Sequence, residues 1–172
     1  MRRTFISHFT LLFAVSFIVG CGPRLPDGMP RLYPVSIEVT QEGAPLGEAM
    51  VTLHSDSPNL ARWVPSGVTN ASGIAVLMTD GKYKGAPLGT YKVAVVRTSL
   101  DPHPEPELVN EQPGSPGAAR YQQLETARKA FIYVESPYTS MGTTPLTVEI
   151  TANQKMYPVD AGKKIKDAIK RN

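Results

Sequence analysis

Cysteine is almost absent from this sequence. Cys21 is the only cysteine among 172 residues, so no intrachain disulfide can form. Long apolar runs are scarce as well. The apolar stretch just before this cysteine, LLFAVSFIV at 11–19, has nine residues, whereas a membrane-spanning helix needs about 20. These two shortages exclude a disulfide-stapled fold and a spanning helix in this stretch.

Local enzyme motifs are also missing. The sequence has no Gly-x-Ser-x-Gly elbow, no Walker loop and no His-Glu-x-x-His pair. His54-Ser55-Asp56 brings two metal-ligand types together, but a metal site would need at least one or two more ligands. We therefore expect no enzymatic activity, no bound metal and no cofactor. A polar exit from a strand is the simpler interpretation of His54 and Asp56.

A strong excess of charge of one sign is lacking too. The formal net charge is +3, and without residues 1–20, which include Arg2 and Arg3, the chain keeps 16 basic and 15 acidic side chains. Nucleic-acid binding favours a clustered basic face with interleaved aromatic residues, and the main body shows no such run. We expect no nucleic-acid partner.

What is present at the amino terminus is an export signal over residues 1–20. Two arginines form a positive region, the apolar run follows, and the small residue Gly20 precedes Cys21. Ile18-Val19-Gly20-Cys21 resembles the lipobox of bacterial lipoproteins. An ordinary secretory signal that happens to contain a cysteine is the alternative.

The lipobox resemblance implies a lipid anchor. It implies cleavage before Cys21, a diacylglyceryl group on the cysteine sulfur and acylation of the new amino terminus. Several acyl chains, at ~0.8 kcal/mol per buried CH₂, would hold the chain stably on a membrane. Because Gly22 is not the aspartate associated with inner-membrane retention, the outer membrane is favoured if the cell has two membranes.

The rest of the chain divides into a tether, a domain and a tail. Residues 21–32 contain the lipidated cysteine and a flexible tether rich in proline, reaching at most ~35–40 Å. Residues 33–160 form the domain. Residues 161–172 are a basic tail, with Ile165, Ala168 and Ile169 at helical spacing. The tail would either lie on an anionic surface or be a solvated chain end.

Alternation of apolar and polar residues predicts short strands across the domain. Val35, Ile37 and Val39 share one face, and the same period recurs through the domain. A proline-rich insertion at 99–117 is followed by a predicted helix at 118–129. Short strands without regular helix alternation predict an all-β antiparallel sandwich. The predicted strands are 33–41, 49–55, 66–69, 74–79, 90–98, 146–151 and 154–160, with an extended segment at 131–136.

Four blocks carry a family resemblance: EGAPLGEAMVTL at 42–53, GVTNASGIAVL at 67–77, GAPLGTYKVAV at 85–95 and TTPLTVEI at 143–150. Their order is similar to bacterial lipoproteins with a carboxypeptidase regulatory-like, or transthyretin-like, domain. The resemblance covers about residues 33–160, with gaps at 54–65 and 99–136. It implies a seven-stranded Greek-key β-sandwich of the prealbumin type, and no activity. The sequence departs from the pattern at Ile74-Ala75 and at Met156-Tyr157.

The enzymatic branch of the transthyretin fold hydrolyses 5-hydroxyisourate and ends in Tyr-Arg-Gly-Ser. This chain ends in Ala-Ile-Lys-Arg-Asn at 168–172, and only His54 and His103 follow the signal segment. We therefore expect no isourate hydrolase.

Candidate ligand residues lie in the two gaps of the resemblance and beside them. Trp63, Tyr83 and Tyr138, with Tyr133, would form an aromatic surface for sugars, next to His54 and Asp56. Aromatic residues that fill the core or its edges are the alternative. The run DPHPEPE at 101–107 would either bind a cation or partner, or form a stiff exposed loop.

These observations lead to two functional expectations. The first is a lipid-anchored cell-envelope β-sandwich with a non-enzymatic structural or interaction role, whose partners are the membrane, through Cys21, and an envelope protein or glycan. The alternative is a carbohydrate or small-ligand binding module that uses loops 54–65 and 99–136.

Overall fold

The computed structural model describes residues 25–101 and 112–169. The signal segment, the lipobox residues Ile18, Val19 and Gly20, the lipidation site Cys21 and most of the DPHPEPE run lie outside these ranges. Within them the chain is mostly β, with fifteen short strands and two helices. The helices are α1 (Pro116–Ala127) and α2 (Ser136–Thr139). The strands are β1 (Leu32–Tyr33), β2 (Ser36–Gln41), β3 (Ala44–Pro45), β4 (Met50–His54), β5 (Pro65–Val68), β6 (Ile74–Val76), β7 (Met78–Thr79), β8 (Tyr83–Lys84), β9 (Ala86–Pro87), β10 (Gly89–Val96), β11 (Thr98–Leu100), β12 (Ala130–Ile132), β13 (Thr147–Ile150), β14 (Met156–Asp160) and β15 (Asp167–Ala168).

Two sheets contain most of the strands. The larger sheet has the order β13-β10-β4-β5-β7-β8, and every pairing in it is antiparallel. The smaller sheet is built around β2, which pairs with β14 on one side and with β3 and β6 on the other. The strands β1 and β9 form a separate pair, and β11, β12 and β15 form a three-stranded sheet.

The core lies between the two larger sheets because alternate residues of each strand are apolar. Ile37 and Val39 of β2 are fully buried, as are Val51 and Leu53 of β4 and Val93 of β10. These side chains belong to one cluster that draws on both sheets. The predicted alternation is therefore confirmed for these strands, and the all-β prediction holds.

The predicted strand at 74–79 is divided between the two sheets. Its first part, β6, pairs with β2, and its second part, β7, pairs with β5. Leu77 lies at the crossing and is fully buried. Its N–H donates to the Val35 carbonyl at 3.0 Å, and its carbonyl accepts from the Gly85 N–H at 2.8 Å. Backbone bonds to both neighbours allow the chain to change sheets without leaving a buried polar group unpaired.

One pairing differs from the expected antiparallel arrangement. The last strand of the domain, β14, lies parallel to β2, with Tyr157 opposite Ile37 and Val159 opposite Val39. A parallel pair requires a long connection between its strands, and here most of the domain provides it. Alternation indicates which face of a strand is buried but not the direction of its neighbour.

The insertion contains the expected helix, shifted by two residues. Ser115 caps α1: its hydroxyl accepts from the Ala118 N–H at 3.0 Å, and Pro116 follows at the first helical position. The second helix, α2, begins at the last residue of the extended segment predicted at 131–136 and is not among the predicted elements.

The carboxyl-terminal segment is extended, so the helical spacing of Ile165, Ala168 and Ile169 does not indicate a helix. Residues 167–168 form β15 against β12, and the Ile169 N–H donates to the Ala130 carbonyl at 2.7 Å. Buried Gln41 also donates to the Lys163 carbonyl at 3.2 Å. These tertiary hydrogen bonds outweigh a weak local preference for helix.

No helix among the described residues has the length and apolar character needed to cross a membrane.

Candidate functional site

A pocket of about 420 Å³ opens at one end of the larger sheet. It is formed where β4 leaves the sheet and β10 enters it. Its lining consists of residues 54–57, Leu60, residues 89–92 and Thr147. Two candidate residues from the sequence, His54 and Asp56, therefore belong to the same concave surface.

Strand register brings three polar side chains of the pocket into one row. Lys92 of β10 lies opposite His54 of β4 on one side and opposite Thr147 of β13 on the other. Residues that are directly opposite share a face of the sheet. Their strand neighbours Leu53 and Val93 point into the core, so the row lies on the outer face.

An ion pair crosses the mouth of the pocket. Lys92 Nζ lies 3.5 Å from Asp56 Oδ2, and the two side chains are 41% and 77% exposed. Water screens charges this exposed, so the pair contributes little to folding. Both groups remain accessible to a ligand, with one cation and one carboxylate at the same opening.

The loop that carries Asp56 is held in place by a buried hydroxyl. Ser55 is 5% exposed, and its Oγ donates to the Thr90 carbonyl at 2.9 Å. The same oxygen accepts from the Ser57 N–H at 3.3 Å. Ser55 therefore fixes the start of the loop to β10, which orients Asp56 toward Lys92.

The floor of the pocket is Tyr91. Its ring is buried, and its hydroxyl donates to the Pro87 carbonyl at 3.0 Å. Burial raises the pKa of Tyr91 to about 12. At neutral pH this hydroxyl therefore stays protonated and hydrogen-bonded to the backbone. Tyr91 contributes to the shape of the pocket floor and does not exchange a proton.

Leu60 closes one side of the pocket by lying close to Gly89. A Cβ atom at Gly89 would come within 2.6 Å of Leu60 Cδ1, and the φ angle of this glycine is +146°. Any side chain there would be strained and would push Leu60 outward. The pocket thus combines an apolar wall with polar groups at its mouth.

The aromatic residues predicted from the sequence do not form an exposed surface. Trp63 and Tyr83 are 5% and 8% exposed, and Tyr138 packs against the core. Arg62 lies over the Trp63 ring with its Cζ 4.4 Å from the centroid, and Lys82 lies over Tyr83 at 5.2 Å. The expectation of an aromatic sugar platform is corrected for Trp63 and Tyr83, which are buried by packing and covered by cations. Tyr133 and Tyr138 are half-buried.

Trp63 also has a polar atom without a partner. Its Nε1 is buried and makes no hydrogen bond with any residue that the structure describes. The residue is tied to the pocket wall through its backbone, because its N–H donates to the Leu60 carbonyl at 2.9 Å. A ligand that displaces Leu60 should therefore change the fluorescence of Trp63, the only tryptophan in the chain.

Within residues 25–101 and 112–169, no group of three or more histidine, cysteine or acidic side chains is arranged to hold a metal ion.

The residues that sequence reasoning missed are Lys92, Thr147 and Leu60. The first two join the pocket only through the register of β10 with its neighbours, and Leu60 joins it through the fold of a loop. The alternation around Lys92 predicts that its side chain faces away from the core. It does not predict which strands lie beside β10. Comparison of the chain with protein-family models, with curated proteins and with solved structures finds no match.

Proposed function

We propose that this chain is a lipid-anchored cell-envelope protein whose β domain has a non-enzymatic interaction role. The observation that carries the proposal is Ile18-Val19-Gly20-Cys21 directly after a short apolar run. A proline-rich tether follows and leads into β1 (Leu32–Tyr33), which pairs with β9. The anchor would come from the cysteine sulfur, and the domain would be held a short distance from the bilayer.

Replacement of the cysteine tests the anchor. Cys21→Ser in the full chain should move the protein from the membrane fraction to the soluble envelope fraction and remove the lipid mass from the protein. A matched control is Ser16→Ala, which changes the apolar region and keeps the cysteine. If the Cys21→Ser protein stays in the membrane and wild type carries no lipid mass, the anchoring proposal fails.

We also propose that the β domain has the seven-stranded Greek-key topology of transthyretin-like domains. Seven strand positions support it: β2, β4, β5, the divided β6–β7, β10, β13 and β14. The mixed sheet around β2 and the antiparallel sheet around β10 enclose one apolar cluster. An experimental structure with a different strand order in either sheet would overturn this assignment.

A second candidate function is favoured by the pocket at loop 54–65: binding of a carbohydrate or another small polar ligand. The supporting observation is the row of His54, Lys92 and Thr147 beside an apolar wall. Ligand sites commonly combine an apolar surface with a few convergent polar groups. Hydroxyl groups can both donate to Asp56 and accept from Lys92, so a sugar suits this pair of charges.

Titration of a sugar panel, followed by Trp63 fluorescence and calorimetry, tests the pocket. A ligand that binds wild type should bind Lys92→Gln at least about fivefold more weakly, because one hydrogen bond to a charged group is lost. Lys84→Gln removes an exposed lysine from β8, outside the lining, and should leave the affinity unchanged. Equal losses in both variants, or no ligand in the panel, would count against the pocket.

A further inference from the structure

A second polar surface, separate from the pocket, lies on the three-stranded sheet of β11, β12 and β15. The Tyr133 N–H donates to the Arg97 carbonyl at 3.0 Å, which places these two residues opposite each other. On the other side of the same strand, Asp167 lies opposite Ile132, so Lys166 is the next residue opposite Tyr133. Arg97, Tyr133 and Lys166 therefore form one cross-strand row on one face.

Both cations of this row are held against aromatic rings. Arg97 Cζ lies 4.8 Å from the Tyr133 centroid, and Lys166 Nζ lies 4.6 Å from the Phe131 centroid. These are cation–π distances. The Tyr133 hydroxyl is itself fixed by a 2.9 Å hydrogen bond with Ser99 Oγ. The two positive charges are thus positioned by the sheet before any ligand arrives.

Two further lysines, Lys129 and Lys164, enlarge the cationic surface. Lys129 immediately precedes β12 and lies two residues before Phe131. Lys164 lies beside Arg97 and Tyr133 around a small depression of about 70 Å³. Among the described residues, Lys129, Lys164 and Lys166 make no ion pair. Arg97 does: its Nη2 lies 3.4 Å from Glu48 Oε2, and the Glu48 side chain is 86% exposed. We call Lys129, Lys164, Lys166 and Arg97 the basic face.

The basic face lies at the opposite end of β10 from the chain's entry into the domain. β1 pairs with β9 just before β10 begins at Gly89, and Arg97 follows its last residue. Eight strand residues span about 25 Å. A bilayer that contacts the entry end of the domain therefore lies about 25 Å from the basic face and does not contact it.

We propose that the basic face binds an anionic polysaccharide. The cations flank the starts of three neighbouring strands, which together are about 10 Å across. The depression beside Arg97 and Lys164 has only about 70 Å³, too little for a compact ligand, so a polymer that bridges several charges fits better. An acidic peptide would gain most by adding a strand to a sheet edge. The edge strands here, β11 and β15, have only three and two residues, too few to hold one. Charge complementarity therefore favours a polymer that binds through its acidic groups.

Heparin is the probe for this proposal, used with the folded protein at 50 and 300 mM NaCl. Arg97→Gln with Lys166→Gln should weaken heparin binding by roughly tenfold at low salt, because each cation near an anionic surface contributes favourably. The control, Lys84→Gln with Lys155→Gln, removes the same charge from residues outside the basic face and should change binding less than about twofold. Thermal unfolding of both double variants checks that the folded state is kept.

Competition identifies the class of partner. Alginate, which carries carboxylates, should displace heparin, and neutral dextran should not. If polyglutamate displaces heparin as well as alginate does at equal charge concentration, the preference for a polysaccharide is wrong. Equal losses in the two double variants, or no heparin binding by wild type, would overturn the site itself. Lys92→Gln should leave heparin binding intact, which separates this test from that of the pocket.

Discussion

Replacement of Thr69 by valine should destabilise the domain, because this residue supplies two buried hydrogen bonds. Thr69 is 3% exposed. Its Oγ1 donates to the Leu46 carbonyl at 2.6 Å and accepts from the Ala49 N–H at 2.8 Å. Valine has nearly the same shape as threonine but cannot make either bond, so the Ala49 N–H and the Leu46 carbonyl would lose a partner inside the protein.

The expected cost is about 2–3 kcal/mol of unfolding free energy. A buried donor or acceptor left without a partner costs about 1–3 kcal/mol, and the added methyl group regains part of that loss. Thr52→Val is the control, because Thr52 is half-buried on β4 and its hydroxyl makes no hydrogen bond within residues 25–101 and 112–169. It should change the free energy by less than about 0.5 kcal/mol.

Urea unfolding followed by Trp63 fluorescence measures both variants. With a slope of about 1.5 kcal/mol per molar urea, Thr69→Val should lower the midpoint by roughly 1.3–2 M and leave the slope unchanged. A shift below about 0.3 M, or one equal to that of Thr52→Val, would refute the role assigned to the Thr69 hydroxyl.

Three further predictions concern Trp63, Gly67 and Tyr91. Trp63→Phe should lower the thermal midpoint by only a few degrees, because loss of the unpaired Nε1 offsets part of the packing lost with the larger ring; a fall of more than about 10 °C by circular dichroism would contradict this. Gly67→Ala should lower stability by more than about 2 kcal/mol in urea, since the new Cβ would lie 2.6 Å from the Val76 backbone oxygen, whereas Ala71→Gly in an exposed turn should cost little. Because the pKa of Tyr91 is raised to about 12 in the folded state, its stabilising contribution is complete below pH 10 and is lost as pH rises through 12. Unfolding measured from pH 9 to 12 should therefore lose stability more steeply in wild type than in Tyr91→Phe.

Alternation predicted which side chains are buried more successfully than which strands are neighbours. The sequence predicts that Val35, Ile37 and Val39 share one face, and all three are buried. The same reasoning placed residues 74–79 in one strand, which the structure divides at Leu77. Apolar periodicity reports burial at each residue, whereas a change of sheet depends on backbone bonds to distant residues such as Val35.

In the candidate site too, the sequence predicts residues that are close along the chain but not those that strand pairing brings together. His54 and Asp56 were singled out because they are close in sequence, and both line the pocket. Lys92 lies 38 residues after His54 in the chain, and strand register places the two opposite each other, which no local pattern predicts. Trp63 was misplaced for a different reason: an aromatic residue in a polar loop has the same sequence signature whether it faces solvent or plugs an edge, and packing decides between them.

The basic face was hidden by the same limitation. Arg97 and Lys166 are 69 residues apart in sequence, and neither stands in a run that includes the other. They meet because the carboxyl-terminal segment adds β15 to β12, a pairing that the helical spacing of the tail disguised. The sequence contains no run of basic residues interleaved with aromatic residues. The folded surface nevertheless brings Arg97 and Lys166 next to Tyr133 and Phe131.

The position of β10 makes the two proposed sites independent of each other. Gly89 and Lys92 lie at its first half, in the pocket, and Arg97 follows its other end, in the basic face. β10 is paired on both sides, with β4 and β13, so it is a rigid element between them. Substitutions separated by more than about 7–10 Å without shared partners usually have additive effects. We therefore expect the triple variant Lys92→Gln, Arg97→Gln, Lys166→Gln to bind sugar as weakly as Lys92→Gln alone. It should bind heparin as weakly as the double variant of the basic face. A coupling larger than about 0.5 kcal/mol would mean that β10 transmits a change between its ends.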